Sequence, residues 1–337
     1  MFSLHRILLK LVHLNNWILF WSSTTLLLVS TIMMVALEPE TFPTLFDSFW
    51  WVMTTVTTVG YGDYYPVTIT GRIYAIFLYI FGIGLIGVVI GKIIDSFGVL
   101  RKMREEGKLD YKGKNHIVII GWSKKAEYAV EEILQTDPSM EIVLIDLLEK
   151  TPCANNRVFY VKGSATNHII LEKANIIGSR AVIIFADHKI EDSLLADGKT
   201  LLIATAVERL AKNAHTTVEV LHEEHIENFV HVHVDEFVVT HETVSRMAVR
   251  SAFTKGVSYV YSQLMSHKYG DDLYQITPRP DWKTYRDAFN ALILEGATLI
   301  ANREGINISR RLDDPIERDM ELYIICDKTS YEKISNT

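Results

Sequence analysis

The sequence is poor in cysteine, and in two places it has no charge at all. Its two cysteines, Cys153 and Cys326, offer no disulfide framework; they read as buried free thiols in a reducing compartment. Trp17 to Leu37 and Ile73 to Ile90 carry no charged side chain, and each reaches the roughly 18 to 20 residues that cross a hydrocarbon core as helix. Neither contains a ladder of arginines, which excludes a voltage-sensing helix. No small-residue cleavage site closes the first stretch, so it is expected to be a retained helix and not a secretory signal.

The charge that is present is distributed asymmetrically. Arg6 and Lys10 precede the first stretch, and Lys92, Arg101, Lys102 and Arg104 follow the second, whereas the connection carries Glu38, Glu40, Asp47 and Asp63 against Arg72. The positive-inside rule then puts both termini on the cytoplasmic side of a cell-membrane protein with two spans. Beyond residue 98 the text turns charged and alternating. The expectation is a small α-helical membrane module carrying a larger soluble one.

Between the spans, Leu45 to Thr57 is mostly apolar and aromatic, with Asp47 and Ser48 suited to helix initiation. It makes about 20 Å of helix, too short to cross. A short helix followed by "TTVGYGD" reads as a re-entrant loop, tolerated at membrane depth only where protein surrounds it or it lines a wet cavity. If successive carbonyls are to face one axis and replace water around a cation, alternate residues need left-handed dihedrals that are costly for most L-residues. Gly60 and Gly62 supply that freedom. Thr58 adds a hydroxyl below the carbonyls of Thr58, Val59, Gly60 and Tyr61, while the Val59 and Tyr61 side chains point outward into packing. Neutral oxygen ligands of this kind suit a hard monovalent cation.

The run Thr58-Val59-Gly60-Tyr61-Gly62 resembles the selectivity filter of potassium channels, which implies K+ in the filter and a homotetramer, since one loop supplies a quarter of the ring. The same resemblance implies an aromatic cuff of Trp50 and Trp51, with the Trp51 indole donating to Asp63. Thr54 stands where a two-span bacterial channel has a glutamate behind the filter. Gly82 lies at the family's gating hinge, whereas Gly87 and Gly91 look more like packing or pore-lining positions; for each glycine the alternative is close packing of helices. The acidic outer loop is expected to raise the local cation concentration.

From His116, "HIVIIGWSKKAEYAVEEIL" reads as strand, glycine and amphipathic helix, and further strands alternate with helices. That order predicts an α/β Rossmann-like module with a parallel, doubly wound sheet. Its glycine fingerprint is degenerate: Gly121 holds the first position, Ser123 replaces the second glycine and Ala126 the third. Ser123 obstructs close approach of a pyrophosphate, while Asp146 remains suited to a ribose hydroxyl. Gly121, Trp122, Ser123, Asp146 and Gly163 form the candidate nucleotide-binding set; the alternative is a Rossmann fold that no longer binds a dinucleotide.

The order of parts, with "HIVIIGWS", "GSATN" and "LEKANIIGSRAVII", resembles the potassium channels gated by RCK domains (regulators of potassium conductance, of TrkA-N and TrkA-C type), including their calcium-gated archaeal member. The resemblance implies a pore module over 1–98, a linker over 99–115, an RCK N-terminal subdomain over 116–240, a helical crossover and dimerisation region over 241–270 and a small α+β C-terminal subdomain over 271–337. It also implies a gating ring, octameric if a soluble RCK product starts at Met103. In the calcium-gated relative three acidic side chains hold the ion. Glu224 matches one, but His222 and Phe185 occupy the other two places, and Asp187 and Glu223 lie nearby; Asp187, His222, Glu223 and Glu224 are therefore the candidate metal set.

In "HEEHIENFVHVHVDE", His231, His233 and Asp235 are expected to alternate on one strand face, an exposed polar face or else a site of transition-metal binding or pH sensing. Ile226 rules out the zinc-protease HExxH pattern. The regulatory ligand stays open among NAD or an adenine nucleotide, a divalent cation and a cyclic dinucleotide. No nucleic-acid partner is indicated. Two other functions compete: a membrane-tethered NAD-dependent oxidoreductase, disfavoured because no catalytic histidine, tyrosine or cysteine constellation follows, and a regulatory subunit of a potassium transporter, disfavoured because the filter lies in the same chain. The expectation is a channel and not an enzyme.

Overall fold

The computed structural model describes residues 16–267 and 270–335, and the chain divides into two compact units, Met1–Met103 and Arg104–Thr337. Arg6 and Lys10, which entered the topology argument, lie outside the described residues.

The first unit contains α1 (Asn16–Leu37), α2 (Leu45–Val56) and the start of α3 (Ile69–Glu105). Only α1 and α3, among the described helices, are long and apolar enough to cross a membrane. Helix α2 is short because Thr44 caps it at one end, accepting from the Asp47 N–H at 3.1 Å, and the glycine-bearing turn ends it at the other. Polar side chains tie the three helices where apolar packing alone gives little orientation: Ser48 donates to the Thr31 carbonyl (2.8 Å), and Ser30 and Tyr74 share a 2.9 Å bond. Phe42, Trp51, Val52, Val56 and Leu78 form the buried centre.

Glu38 joins the end of α1 to the start of α3. Its carboxylate accepts from the Val67 and Thr68 N–H groups (2.9 and 2.8 Å) and the Thr68 hydroxyl (2.7 Å), an anionic cap at the start of α3. A Cβ on Gly71 would come within 2.0 Å of this carboxylate, so the cap requires glycine there. Glu38 is therefore buried and does not belong to an exposed acidic loop, contrary to the reading from charge alone. Helix α3 runs unbroken through Glu105, so residues 99–105, expected to be linker, are helical.

The second unit begins with a six-stranded sheet of β1 (Ile117–Ile120), β2 (Ile142–Asp146), β3 (Val158–Lys162), β4 (Ala181–Ile184), β5 (His215–Val220) and β6 (Glu236–Val239). Every pairing is parallel and the order is β3-β2-β1-β4-β5-β6, so the chain reverses direction between β1 and β4. The strands are nearly continuous runs of Ile, Val and Leu because helices cover both faces: α4 (Lys124–Thr136), α5 (His168–Lys173) and α6 (Ser193–Leu210). This is the doubly wound Rossmann-like architecture expected from the sequence.

His231, His233 and Asp235 do not form the expected strand face. They lie in irregular chain after a 3-10 turn over Glu223–Phe229, and β6 starts only at Glu236. The chain must turn back there to enter a parallel strand, and Asp235 fastens the return by accepting from the Thr216 N–H at 2.6 Å.

Two helices follow, α7 (Thr240–Phe253) and α8 (Val257–Leu264), separated by Gly256 at φ 92°. A three-stranded antiparallel sheet in the order β7-β9-β8 completes the chain, from β7 (Asp271–Ile276), β8 (Thr298–Asn302) and β9 (Leu322–Asp327), with α9 (Tyr285–Leu294) and α10 (Lys328–Ser335). It has its own core around Trp282, Tyr285, Leu292, Leu322 and Ile324.

Candidate functional site

The segment after α2 has the backbone that a carbonyl-lined axis demands. Thr58, Gly60 and Gly62 sit at φ 63°, 56° and 77°, while Val59 and Tyr61 between them do not adopt positive φ. Strict alternation points successive carbonyls the same way. Thr58 is the informative member: a β-branched residue in left-handed backbone costs of order 1–3 kcal/mol and persists only where surrounding contacts impose it. Those contacts come from α2, whose Thr54 carbonyl accepts from both the Val59 and Gly60 N–H groups (2.8 and 3.1 Å). Nothing lies within 4 Å of a Cβ built on Gly60 or Gly62, so dihedral and not local space fixes glycine within one chain.

The chain just past Gly62 is held differently from expectation. Trp50, not Trp51, donates its indole N–H to Asp63 (2.8 Å) and stacks on Tyr61 with ring centroids 5.8 Å apart. Trp51 points the other way, buried against Phe42 at 5.4 Å. Consecutive helical residues diverge by about 100°, so only one of the pair can face the turn. Tyr64 donates its hydroxyl to Asp47 (3.1 Å), and Asp47 also receives the Thr44 hydroxyl (2.6 Å). Two acidic side chains of the connection between α1 and α3, Asp47 and Asp63, are thus committed to hydrogen bonds.

Gly82 packs closely: a Cβ there would meet Val56 Cγ2 at 2.8 Å and Leu78 Cδ1 at 3.2 Å. The glycine lets α3 approach the end of α2. Around Gly84, Gly87 and Gly91 a Cβ would meet nothing within 4 Å.

In the second unit four of the five nucleotide-binding candidates converge, Ser123 being the one that does not line the cleft. Gly121, Trp122, Asp146, Gly163, Asp187 and Lys199 line one cleft at the carboxyl ends of β1, β2 and β4, where the strand order reverses, the usual ligand position in open α/β sheets. Gly121 takes φ 91°, and a Cβ there would lie 3.1 Å from the Phe185 carbonyl. The Asp146 carboxylate accepts from the Trp122 and Leu147 N–H groups, both at 2.7 Å. Ser123 is the N-cap of α4, its hydroxyl accepting from the Ala126 N–H at 3.4 Å, so a side chain occupies the helix end that a phosphate takes in an intact fingerprint.

The metal candidates do not converge. Among the described residues no three His, Cys, Asp or Glu side chains stand together as a metal-holding group. Asp187 pairs with Lys199 at 2.5 Å. Burial pushes the Asp187 carboxyl up, but hydrogen bonds from Lys199 and the Lys189 backbone outweigh it and hold the group below its usual range. Glu223 faces Arg246 (3.5 Å), and His222 lies edge-on to His225 and His241. Asp197 accepts from the Leu221 N–H (2.9 Å) and pairs with His225 (2.6 Å), which fastens the turn to α6.

Sequence reading missed Glu219. This buried residue of β5 accepts from the Ala186 N–H (3.0 Å), pairs with Lys125 in the first turn of α4, and receives the Thr240 hydroxyl at the start of α7. One carboxylate joins the helix after the glycine turn, the wall of the cleft and the start of α7. The only sequence signal was a carboxylate flanked by Val218 and Val220 in β5.

Residues 17–98 match the family model described as "Ion channel", and residues 112–218 match that of the "Calcium-activated potassium channel slowpoke-like RCK domain". The putative potassium channel protein YugO of Bacillus subtilis is 33% identical over 212 residues, covering 62% of this chain and 64% of the relative. The calcium-gated potassium channel TvoK of Thermoplasma volcanium is 32% identical over 216 residues, covering 63% of this chain and 61% of the relative. The chain thus spans less than two thirds of the length of these curated relatives. The human SLO3 gating ring superposes with a TM-score of 0.52 at 10% identity, over 65% of this chain and 46% of that one, a likeness of fold. An ion-channel match followed by a match to a slowpoke-like RCK domain makes the chain similar, part for part, to potassium channels that carry an RCK domain.

Proposed function

We propose that the chain is one subunit of a ligand-gated, potassium-selective channel and carries no catalytic activity. Four copies would surround one axis, each contributing the Thr58 hydroxyl and the carbonyls of Thr58, Val59, Gly60 and Tyr61 as oxygen ligands that replace the hydration shell of K+, with Gly62 completing the turn. The observation that carries this reading is the alternating left-handed backbone at Thr58, Gly60 and Gly62, with its cost met by the Thr54 carbonyl. Asp63 with Trp50 supports the filter. The close contact of Gly82 with Val56 favours a packing role there over a hinge.

The spans would lie in the cell membrane with both termini cytoplasmic. Residues 1–98 would form the pore module, 99–115 its connection, 116–240 and 271–337 the RCK subdomains and 241–270 the crossover that pairs them into a gating ring, octameric if a product begun at Met103 joins it. The regulatory ligand that the geometry supports best is an adenine nucleotide or NAD, bound by Gly121, Trp122, Asp146 and Gly163, because these residues line one cleft whereas the metal candidates form no metal-holding group among the described residues. A divalent cation or a cyclic dinucleotide remains for the same screen.

Potassium flux into liposomes carrying the full chain tests the reading. Flux blocked by barium and abolished by Gly60→Asp is expected; potassium-selective flux that survives Gly60→Asp would remove the filter assignment. Dependence of that flux on NAD, ADP or calcium, lost in Asp146→Ala for nucleotides alone, identifies the ligand.

A further inference from the structure

We infer that Asp47 and Tyr64 are a positioning pair for the outer end of the filter, a role that rests on the proposed function of Thr58 to Gly62. Three observations carry it. First, the residue behind the filter, Thr54, is no carboxylate; its hydroxyl donates back to the Trp50 and Trp51 carbonyls (3.0 and 3.1 Å), so its side chain does not reach the filter's outer end. Only its carbonyl braces the filter, and that grips the inner residues Val59 and Gly60.

Second, two consecutive residues past Gly62 are tied to two residues of α2 that lie one turn apart. Asp63 receives the Trp50 indole, and Tyr64 donates to Asp47 at 3.1 Å. Positions three apart on a helix share a face, so the chain leaving the filter runs back along α2 and is fixed at two points. Two points define direction as well as distance, which one bond does not.

Third, both ends of the second bond are immobilised. Asp47 is held by the Thr44 hydroxyl (2.6 Å) at the N-cap, and the Tyr64 ring stacks on the fully buried Phe42 at 6.0 Å. A phenol so placed transmits the position of the helix start to the filter mouth. Carboxylate acceptors make this a charge-assisted bond, stronger than a neutral one.

The test is potassium flux into liposomes by the full chain, followed over time, for wild type, Tyr64→Phe, Asp47→Asn and the double variant. Phenylalanine keeps the ring on Phe42 and removes only the hydroxyl. Each single variant is expected to lose conduction about tenfold faster than wild type, the equivalent of one charge-assisted hydrogen bond. Raised potassium should slow that loss, because occupied ligands hold the filter open, and the double variant should be no worse than either single. Melting of the assembled protein should stay close to wild type, which separates positioning from general stability. If wild type conducts and both single variants decay at its rate, or if raised potassium leaves their decay unchanged, the pair has no positioning role. Should Tyr64→Phe fail to assemble, Asp47→Asn decides alone. Absence of flux in wild type refutes the channel reading itself, a separate outcome.

Discussion

Replacing Lys125 by methionine removes the cation that faces Glu219 while keeping most of its packing. Glu219 is 4% exposed and Lys125 40% exposed on their side chains, so the two are not equivalent partners. Removing the carboxylate would let Lys125 relax into water, whereas removing the lysine strands a charge in the interior with only the Ala186 N–H and the Thr240 hydroxyl to satisfy it. Breaking a buried pair from that side costs about 3 kcal/mol or more, while an exposed pair is worth under about 1 kcal/mol. Adding Glu219→Gln removes the stranded charge and leaves an amide whose oxygen still accepts from Ala186. The double variant is therefore expected to regain most of what Lys125→Met loses, a non-additivity of about 2 kcal/mol. Hydrogen exchange over residues 181–189, which carry the Ala186 amide, reads the opening free energy of this part of the full chain. A Lys125→Met cost below about 1 kcal/mol, or a double variant no more stable than that single, would refute the assignment of Glu219 as a buried anionic hub.

Two other outcomes follow from the same structure. Trp50→Phe should destabilise conduction by freeing Asp63, whereas Trp51→Phe should keep the Asp63 bond and lower thermal stability by about 1–3 kcal/mol through lost packing on Phe42; flux and melting of each variant separate them, and equal effects on flux would contradict the contact. Burial, with the carboxylates of Asp327, Asp271 and Asp272, pushes the Cys326 thiol up to about 11. At pH 8 iodoacetamide should label half-buried Cys153 well before Cys326, as peptide mass spectrometry would record. Because the folded-state value is raised, the neutral thiol's contribution is complete below the ordinary thiol range and is lost as pH climbs toward 11.

Periodicity and order carried much of the architecture. Charge-free stretches marked α1 and α3, and strands alternating with helices marked the parallel sheet, because both signals are local. The turn at 58–62 was legible as a motif, but the left-handed Thr58 was not: its conformation is imposed by hydrogen bonds to Thr54, against the preference of a β-branched residue. The choice between Trp50 and Trp51 depended on helix phase, which two adjacent tryptophans do not reveal. Glu38 counted as loop charge until the chain folded it onto Val67 and Thr68. Glu219 was hidden for the same reason, since its partners Lys125, Ala186 and Thr240 come from three distant elements.

The most direct measurement of the central claim is the reversal potential of the purified chain in a planar bilayer with a potassium gradient balanced by an opposite sodium gradient. A filter built on Thr58, Gly60 and Gly62 should hold that potential close to the potassium equilibrium value. A reversal potential near zero in the conducting wild-type protein would contradict it.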